Sequence, residues 1–307
     1  MAFATAMSVE QSAAQCSLPP RARARLTRVG FLGPFYIAFG LFFLVPIGFA
    51  IYESLLAPRR VGGVFGRTTE VFAGLRQYRA VFSDHEFWGG VLRVLLYACI
   101  QVPVMAIIAV GLALVLDATA PRLARLFRTS FFVPYAVSTV VATLMWGALY
   151  TPGTSPLTEF HLHLDALGPT LVLPSIVNVG VWEWGGFNVV LMTTALTAIP
   201  PEVFDSARID GASSLSTAVH IKLPLIRPTI VMAMVLTIIG TLQLFTEPQV
   251  LSAISNVIPT YYTPNMLAYS ALSADDYSFA AAISVTLALV GLVLSFSFLR
   301  IARRKTY

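Results

Sequence analysis

The chain alternates between long apolar blocks and short polar connections. Six blocks stand out, at 31–54, 90–116, 130–150, 175–199, 229–250 and 278–299. Roughly 20 mostly apolar residues cross the hydrocarbon core of a bilayer as a helix, so each block predicts one transmembrane helix. Pro34, Pro46, Pro103 and Pro134 lie inside or near the ends of these blocks. Membrane helices accept them because neighbouring groups re-satisfy the freed backbone. Residues 1–30 are polar and Ala/Ser-rich and end in Arg21, Arg23, Arg25 and Arg28. The block that follows is long enough to span, which predicts a disordered basic tail before an uncleaved first helix. The expected fold is all-α and polytopic, with six transmembrane helices across 31–307.

Composition sharpens this. Charged residues make up 11% of the chain and hydrophobic ones 57%, against about 25% charged in a soluble globular protein. The net charge of +5 does not point to nucleic acid, because the basic residues sit in short clusters beside apolar blocks, where headgroup contact and orientation account for them. With the N-terminus in the cytoplasm, the inner segments hold Arg21, Arg23, Arg25, Arg28, Arg122, Arg125, Arg128, Arg208, Lys222, Arg227, Arg300, Arg303, Arg304 and Lys305. The outer segments hold only Arg59, Arg60, Arg67, Arg76 and Arg79, with Arg93 just inside helix 2. This bias predicts both termini inside. The length of outer loop 55–89 suggests a folded cap. Cys16 and Cys99 fall in a polar tail and a predicted span, which makes neither a disulfide nor a metal site.

The most informative polar stretch is 200–224, predicted to be cytoplasmic. Pro201 suits a first helical position, and Glu202 and Asp205 complement the positive end of the helix dipole. Val203, Phe204, Ala207 and Ile209 offer apolar contact area. Gly211 is a natural stop, after which Ser213 or Ser214 can cap a second short helix running to about His220, which Pro224 would end. The residues alone thus predict a helix–turn–helix on the inner membrane face, equally suited to docking a partner or lying at the headgroups.

The spacing Asp205-Ser206-Ala207, three residues, Gly211, nine residues, Ile221-x-Leu223-Pro224 resembles the signature loop of the permease subunits of ABC-type importers. The run Ala207-Arg208-Ile209-Asp210-Gly211-Ala212-Ser213 resembles their carbohydrate branch, related to the maltose-type permeases. The likeness extends from Leu75-Arg76-Gln77-Tyr78 to helix 6. It departs from the family at Asp205 and Ser206, which stand where the family has Glu and Ala. The Gly-Gly-Pro often found after helix 5 is replaced by Ser252 to Pro264, including Tyr261-Tyr262-Thr263-Pro264. The resemblance implies a type I importer transmembrane domain in a bacterial or archaeal plasma membrane. It also implies that Glu202, Asp205, Ser206, Ala207, Arg208, Asp210, Gly211, Ile221, Leu223 and Pro224 form a coupling element for an ATPase. The partners it implies are a second, different permease chain, two cytoplasmic ATPase subunits carrying ATP and Mg, and an extracytoplasmic solute-binding protein.

The chain carries no motor of its own. A P-loop needs Gly, four residues, then Gly-Lys-Ser/Thr; Lys222 is followed by Leu223, and Lys305 is preceded by Arg304. It is therefore expected to be a translocation subunit, without enzymatic activity and without a cofactor or metal.

Within the spans, Glu183, Glu247, Asn188 and Gln243 are the polar candidates for a cargo path, with Trp182 and Trp184 as stacking surfaces or interfacial belt residues. Counting along the predicted helices places Glu183, Glu247 and Arg93 near the outer surface, where they could snorkel to water or pair. Helices 3 to 5 hold no deep basic group, which suits a neutral hydroxylated solute better than a glycerophosphate-type or other charged one. The pair His161-x-His163 is too short an alternation to assign a metal. An ATP-independent channel or secondary transporter is the competing class, but the inverted repeats it favours are not evident.

Overall fold

The computed structural model describes residues 32–61, 67–151 and 165–304. The tail at 1–30 and the His161–His163 segment lie outside them. The chain divides into two units, Met1–Tyr52 and Glu53–Tyr307.

Helix α1, Leu32–Ser54, has all but its last two residues in the first unit. Phe35, Phe39 and Phe43 stack one turn apart, with ring centroids 6.1 and 5.3 Å apart. A π-turn at Gly40–Leu44 interrupts the α-helix and ends where Val45 N–H bonds to Gly40 O. Pro46 follows at once. Its ring would strike the carbonyl four residues back in a regular helix, and the wider turn moves that carbonyl aside.

The second unit opens with a hairpin, β1 (Leu56–Val61) against β2 (Arg67–Phe72), antiparallel with Leu56 opposite Phe72. The expected all-α fold therefore gains a small two-stranded sheet. Helix α2 (Arg76–Ser83) follows, and the hydroxyls of Ser54 and Tyr78 lie 2.7 Å apart across this cap. Helix α3 (His85–Asp117) is capped by the Asp84 carboxylate, which accepts from Glu86 N–H at 2.8 Å. At 33 residues it is about 50 Å long.

Helix α4 (Pro121–Phe132) runs through a 3₁₀ turn at Val133–Ala136 and then turns by 97° into α5 (Thr139–Tyr150). The single span expected at 130–150 is thus split. Val137 and Ser138 adopt extended ψ values of 141° and 135°, where helical hydrogen bonding cannot continue.

Helix α6 (Val172–Thr197) is followed by α7 (Pro201–Ile209) at a 69° bend. Helix α8 (Ser214–Leu242) is continuous. The expected stop at Pro224 is absent because a second π-turn, Ala218–Lys222, closes with Leu223 N–H on Ala218 O just before that proline. The device is the same as at Pro46.

The expected span 229–250 also ends early. Helix α8 stops at Leu242, and a short α9 (Thr246–Leu251) starts anew. Pro248 explains the break, since it has no N–H to give to Leu244 O. That carbonyl instead accepts from Thr263 Oγ1 at 3.1 Å and Asn265 Nδ2 at 3.4 Å, and Asn265 Nδ2 also reaches Leu242 O at 3.1 Å. Helices α10 (Pro264–Ser273) and α11 (Tyr277–Arg304) complete the unit.

Helices α3 and α6 form the spine of the unit. Their lower halves pack through Ala109, Ala113 and Leu116 against Val189, Met192 and Leu196, with Ile226 and Ala233 from α8. The upper core joins Val94 and Tyr97 to Ile176, Leu244, Leu251 and Met266. In lipid, helix association depends on close backbone approach rather than hydrophobic expulsion, so small residues mark the contacts. A Cβ on Gly186 would clash with the Phe131 carbonyl, and one on Gly180 with Tyr97 OH. Among the described residues, four helices are long and apolar enough to cross a membrane, and six when each bent pair counts as one span.

Candidate functional site

Two regions concentrate the chemistry. The first is a cavity of about 480 Å³ between α3, α5, α6 and the α8–α9 break, lined by polar and aromatic groups such as Tyr97, Gln101, Thr139, Trp184, Asn188 and Gln243. Its location follows from two irregularities. The 97° bend brings Thr139 at the start of α5 to α6, where its hydroxyl donates to Glu183 Oε1 at 2.5 Å. The Pro248 break exposes Gln243 and Glu247 to the same space.

Trp184, Asn188, Gln243 and Glu247 line the cavity, whereas Glu183 stands behind Thr139. Trp182 lies elsewhere, edge-on to Trp146 at 6.1 Å. The expectation that Glu183, Glu247 and Arg93 snorkel or pair with one another does not hold. Glu183 and Glu247 are only 4% and 9% exposed. Arg93 instead donates to Tyr262 O at 3.1 Å, with its guanidinium 5.0 Å from the Tyr262 ring centroid. The depth count placed Glu183 near a helix end, but α6 begins at Val172 and buries it mid-helix; the break turns Glu247 inward.

Glu183 Oε2 and Gln101 Oε1 are buried acceptors without a hydrogen-bond partner among the described residues. Such groups are costly to leave unpaired and are the kind a donor-rich ligand satisfies. Asn188 is tied to its own helix, with Nδ2 donating to Trp184 O at 3.1 Å. Tyr97 and Gln101 escaped the sequence reading, although their spacing of four places both on one face of an apolar helix. Thr139 was invisible without the bend.

The second region is the 200–224 loop. Pro201 opens α7 and Glu202 lies in its first turn. Gly211 has φ +77°, a conformation costly to any residue with a Cβ. Ser213 then caps α8, its Oγ accepting from Ser216 N–H at 3.2 Å. Glu202, Asp205, Ser206, Arg208, Asp210 and Gly211 are exposed, and Ile209 is 86% exposed. Ala207 is buried and packs inward, unlike the outward contact expected of it. Ile221 and Leu223 are half-buried in the continuous helix that also contains Pro224. Arg208 and Asp205 form a 3.3 Å pair whose side chains are 79% and 67% exposed, too solvated to contribute much stability.

A helical membrane bundle around a half-polar cavity, with an exposed helix–turn–helix beyond α6, has the build of a transport component. Residues 80–307 match the family described as binding-protein-dependent transport system inner membrane component, and the chain belongs to that family. It is 28% identical to a probable ABC transporter permease protein, YurN of Bacillus subtilis, over 83% of this chain and 90% of that one. It is 29% identical to the trehalose transport system permease protein SugA of Mycobacterium tuberculosis, over 69% and 68%. The lactose transport system permease protein LacF of Rhizobium radiobacter is 26% identical over 87% and 90%. In fold, the chain resembles one from a bacterial alginate ABC transporter solved with a pentasaccharide-bound periplasmic protein, with a TM-score of 0.78, 20% identity, and 92% and 96% of the two chains covered.

Proposed function

We propose that this chain forms half of the translocation pathway of an ATP-driven importer for a sugar or related hydroxylated solute. A binding protein delivers the cargo, and a separate ATPase docks on the exposed residues of α7 and the Gly211 turn within the 200–224 loop. The second half of the pathway is another permease chain, and two ATPase subunits carry the ATP and Mg. Both termini and the 200–224 loop face the cytoplasm of a bacterial or archaeal plasma membrane.

The observation that carries the docking is Ile209, a large apolar side chain held almost fully in solvent at the Gly211 turn. An apolar anchor between opposite charges suits a pocket on a partner. The family membership and the sugar names of several relatives support the cargo class. So does the cavity, whose described lining contains aromatics, amides, hydroxyls and a carboxylate but no Lys, Arg or His. A phosphorylated solute would call for a cation there.

The test is co-purification of the ATPase with this chain, followed by uptake in proteoliposomes containing the assembled transporter. Ile209→Asp should release the ATPase and abolish ATP-driven uptake. Retention of the ATPase at wild-type level would defeat the docking, and uptake without ATP would defeat the importer reading.

A further inference from the structure

The exposed charges of the 200–224 loop contrast with one that is shielded. Lys222 closes the π-turn of α8 and donates from Nζ to Asp117 Oδ2 at 2.5 Å, with side-chain exposures of 17% and 22%. The same ammonium stands 5.1 Å from the centroid of the Phe204 ring. Phe204 belongs to α7, Lys222 to α8, and Asp117 is the last residue of α3. One cation therefore holds three helices, two of them consecutive and the third 105 residues away at Asp117.

We propose that Lys222 is the positioning residue through which movement of α7 reaches the cavity. A cation over an aromatic face and a partly desolvated ion pair are both stronger than the solvated Arg208–Asp205 pair. Helix α3 runs unbroken through Pro103, and sixteen residues above Asp117 it presents Gln101 to the cavity, about 24 Å away along the axis. Moving α7 moves the Phe204 ring, which Lys222 follows, and the ion pair draws the end of α3 with it. The π-turn places Lys222 for both contacts, because the wider turn rotates the residues after it relative to those before.

This rests on the proposal that α7 docks the ATPase, and the experiment keeps the two apart. The assembled transporter carries Thr237→Cys in the cavity wall, in a background with Cys16→Ser and Cys99→Ser. Its rate of maleimide labelling is compared without nucleotide and trapped with ATP and vanadate, so no cargo needs to be known. The unaltered Lys222 complex should change its labelling rate at least about fivefold between the two states, the lower end of typical coupling between linked sites. Lys222→Ala should keep the ATPase bound and hydrolysing while the nucleotide response falls below about twofold, a near-complete loss of that coupling. Lys222→Arg, which keeps a cation for both the Phe204 ring and Asp117, should restore the response. A full response in Lys222→Ala overturns the proposal, as does a lost response in Lys222→Arg in a complex that retains its ATPase. If the complex with Lys222 intact ignores nucleotide, or if Ile209→Asp leaves the ATPase bound, the docking proposal itself is wrong.

Discussion

The cavity and the 200–224 loop are built by opposite rules. Lys222 apart, the loop keeps its charged groups in water and satisfies its backbone locally, through Pro201, the Gly211 turn and the Ser213 cap. The cavity takes polar groups out of solvent and leaves two acceptors, Gln101 Oε1 and Glu183 Oε2, without partners among the described residues. A surface that awaits a protein can be written in adjacent residues. A surface that awaits a small solute is assembled from five helices and depends on how they bend.

The variant that would erase the distinction is Gly186→Leu. A Cβ there meets the Phe131 backbone, and overpacking of a tight contact costs about 1–3 kcal/mol or more. The expected result is loss of folded protein in detergent, read by thermal unfolding and recovery, with cavity and loop functions lost together. Gly211→Val should separate them. A β-branched residue at φ +77° costs at least about 1–2 kcal/mol, taken from the turn alone, so the bundle should melt normally while ATP-driven uptake falls at least about tenfold, the factor for 1.4 kcal/mol.

Gln101→Leu sharpens the comparison from the other side. Removing an unsatisfied buried acceptor should leave thermal stability unchanged or raised. It should also raise the uptake KM for the accumulated sugar about 2- to 10-fold, the worth of one hydrogen bond. A lower melting temperature with normal KM would show that Gln101 serves the fold instead. The smallest effect is expected from Asp205→Ala, which removes only an exposed pair; thermal stability should change by less than about 1 kcal/mol.

The same contrast explains what could be read from sequence. Most of the spans and the Pro201–Gly211 part of the loop were legible because each rests on local rules of hydrophobic run length, proline at N1 and glycine at a left-handed turn; the split of 130–150, the early end of 229–250 and the helix running through Pro224 were not. The cavity was half legible. Trp184, Asn188, Gln243 and Glu247 declared themselves as polar or aromatic interruptions of apolar blocks, but Thr139 entered only through a bend near Pro134. Glu247 has surroundings other than those expected because Pro248, two residues before the expected helix end, breaks the span earlier. The ion pair of Lys222 with Asp117 joins residues 105 apart, a contact that no local pattern encodes.

The break at Pro248 bears on how the protein is made. The carbonyls of Leu242 and Leu244 receive their donors from Thr263 and Asn265, residues translated afterwards. A bare carbonyl is costly away from water, so these two keep water or other donors until the start of α10 has been made. The turn that follows the fifth span is thus completed by a segment later in the chain.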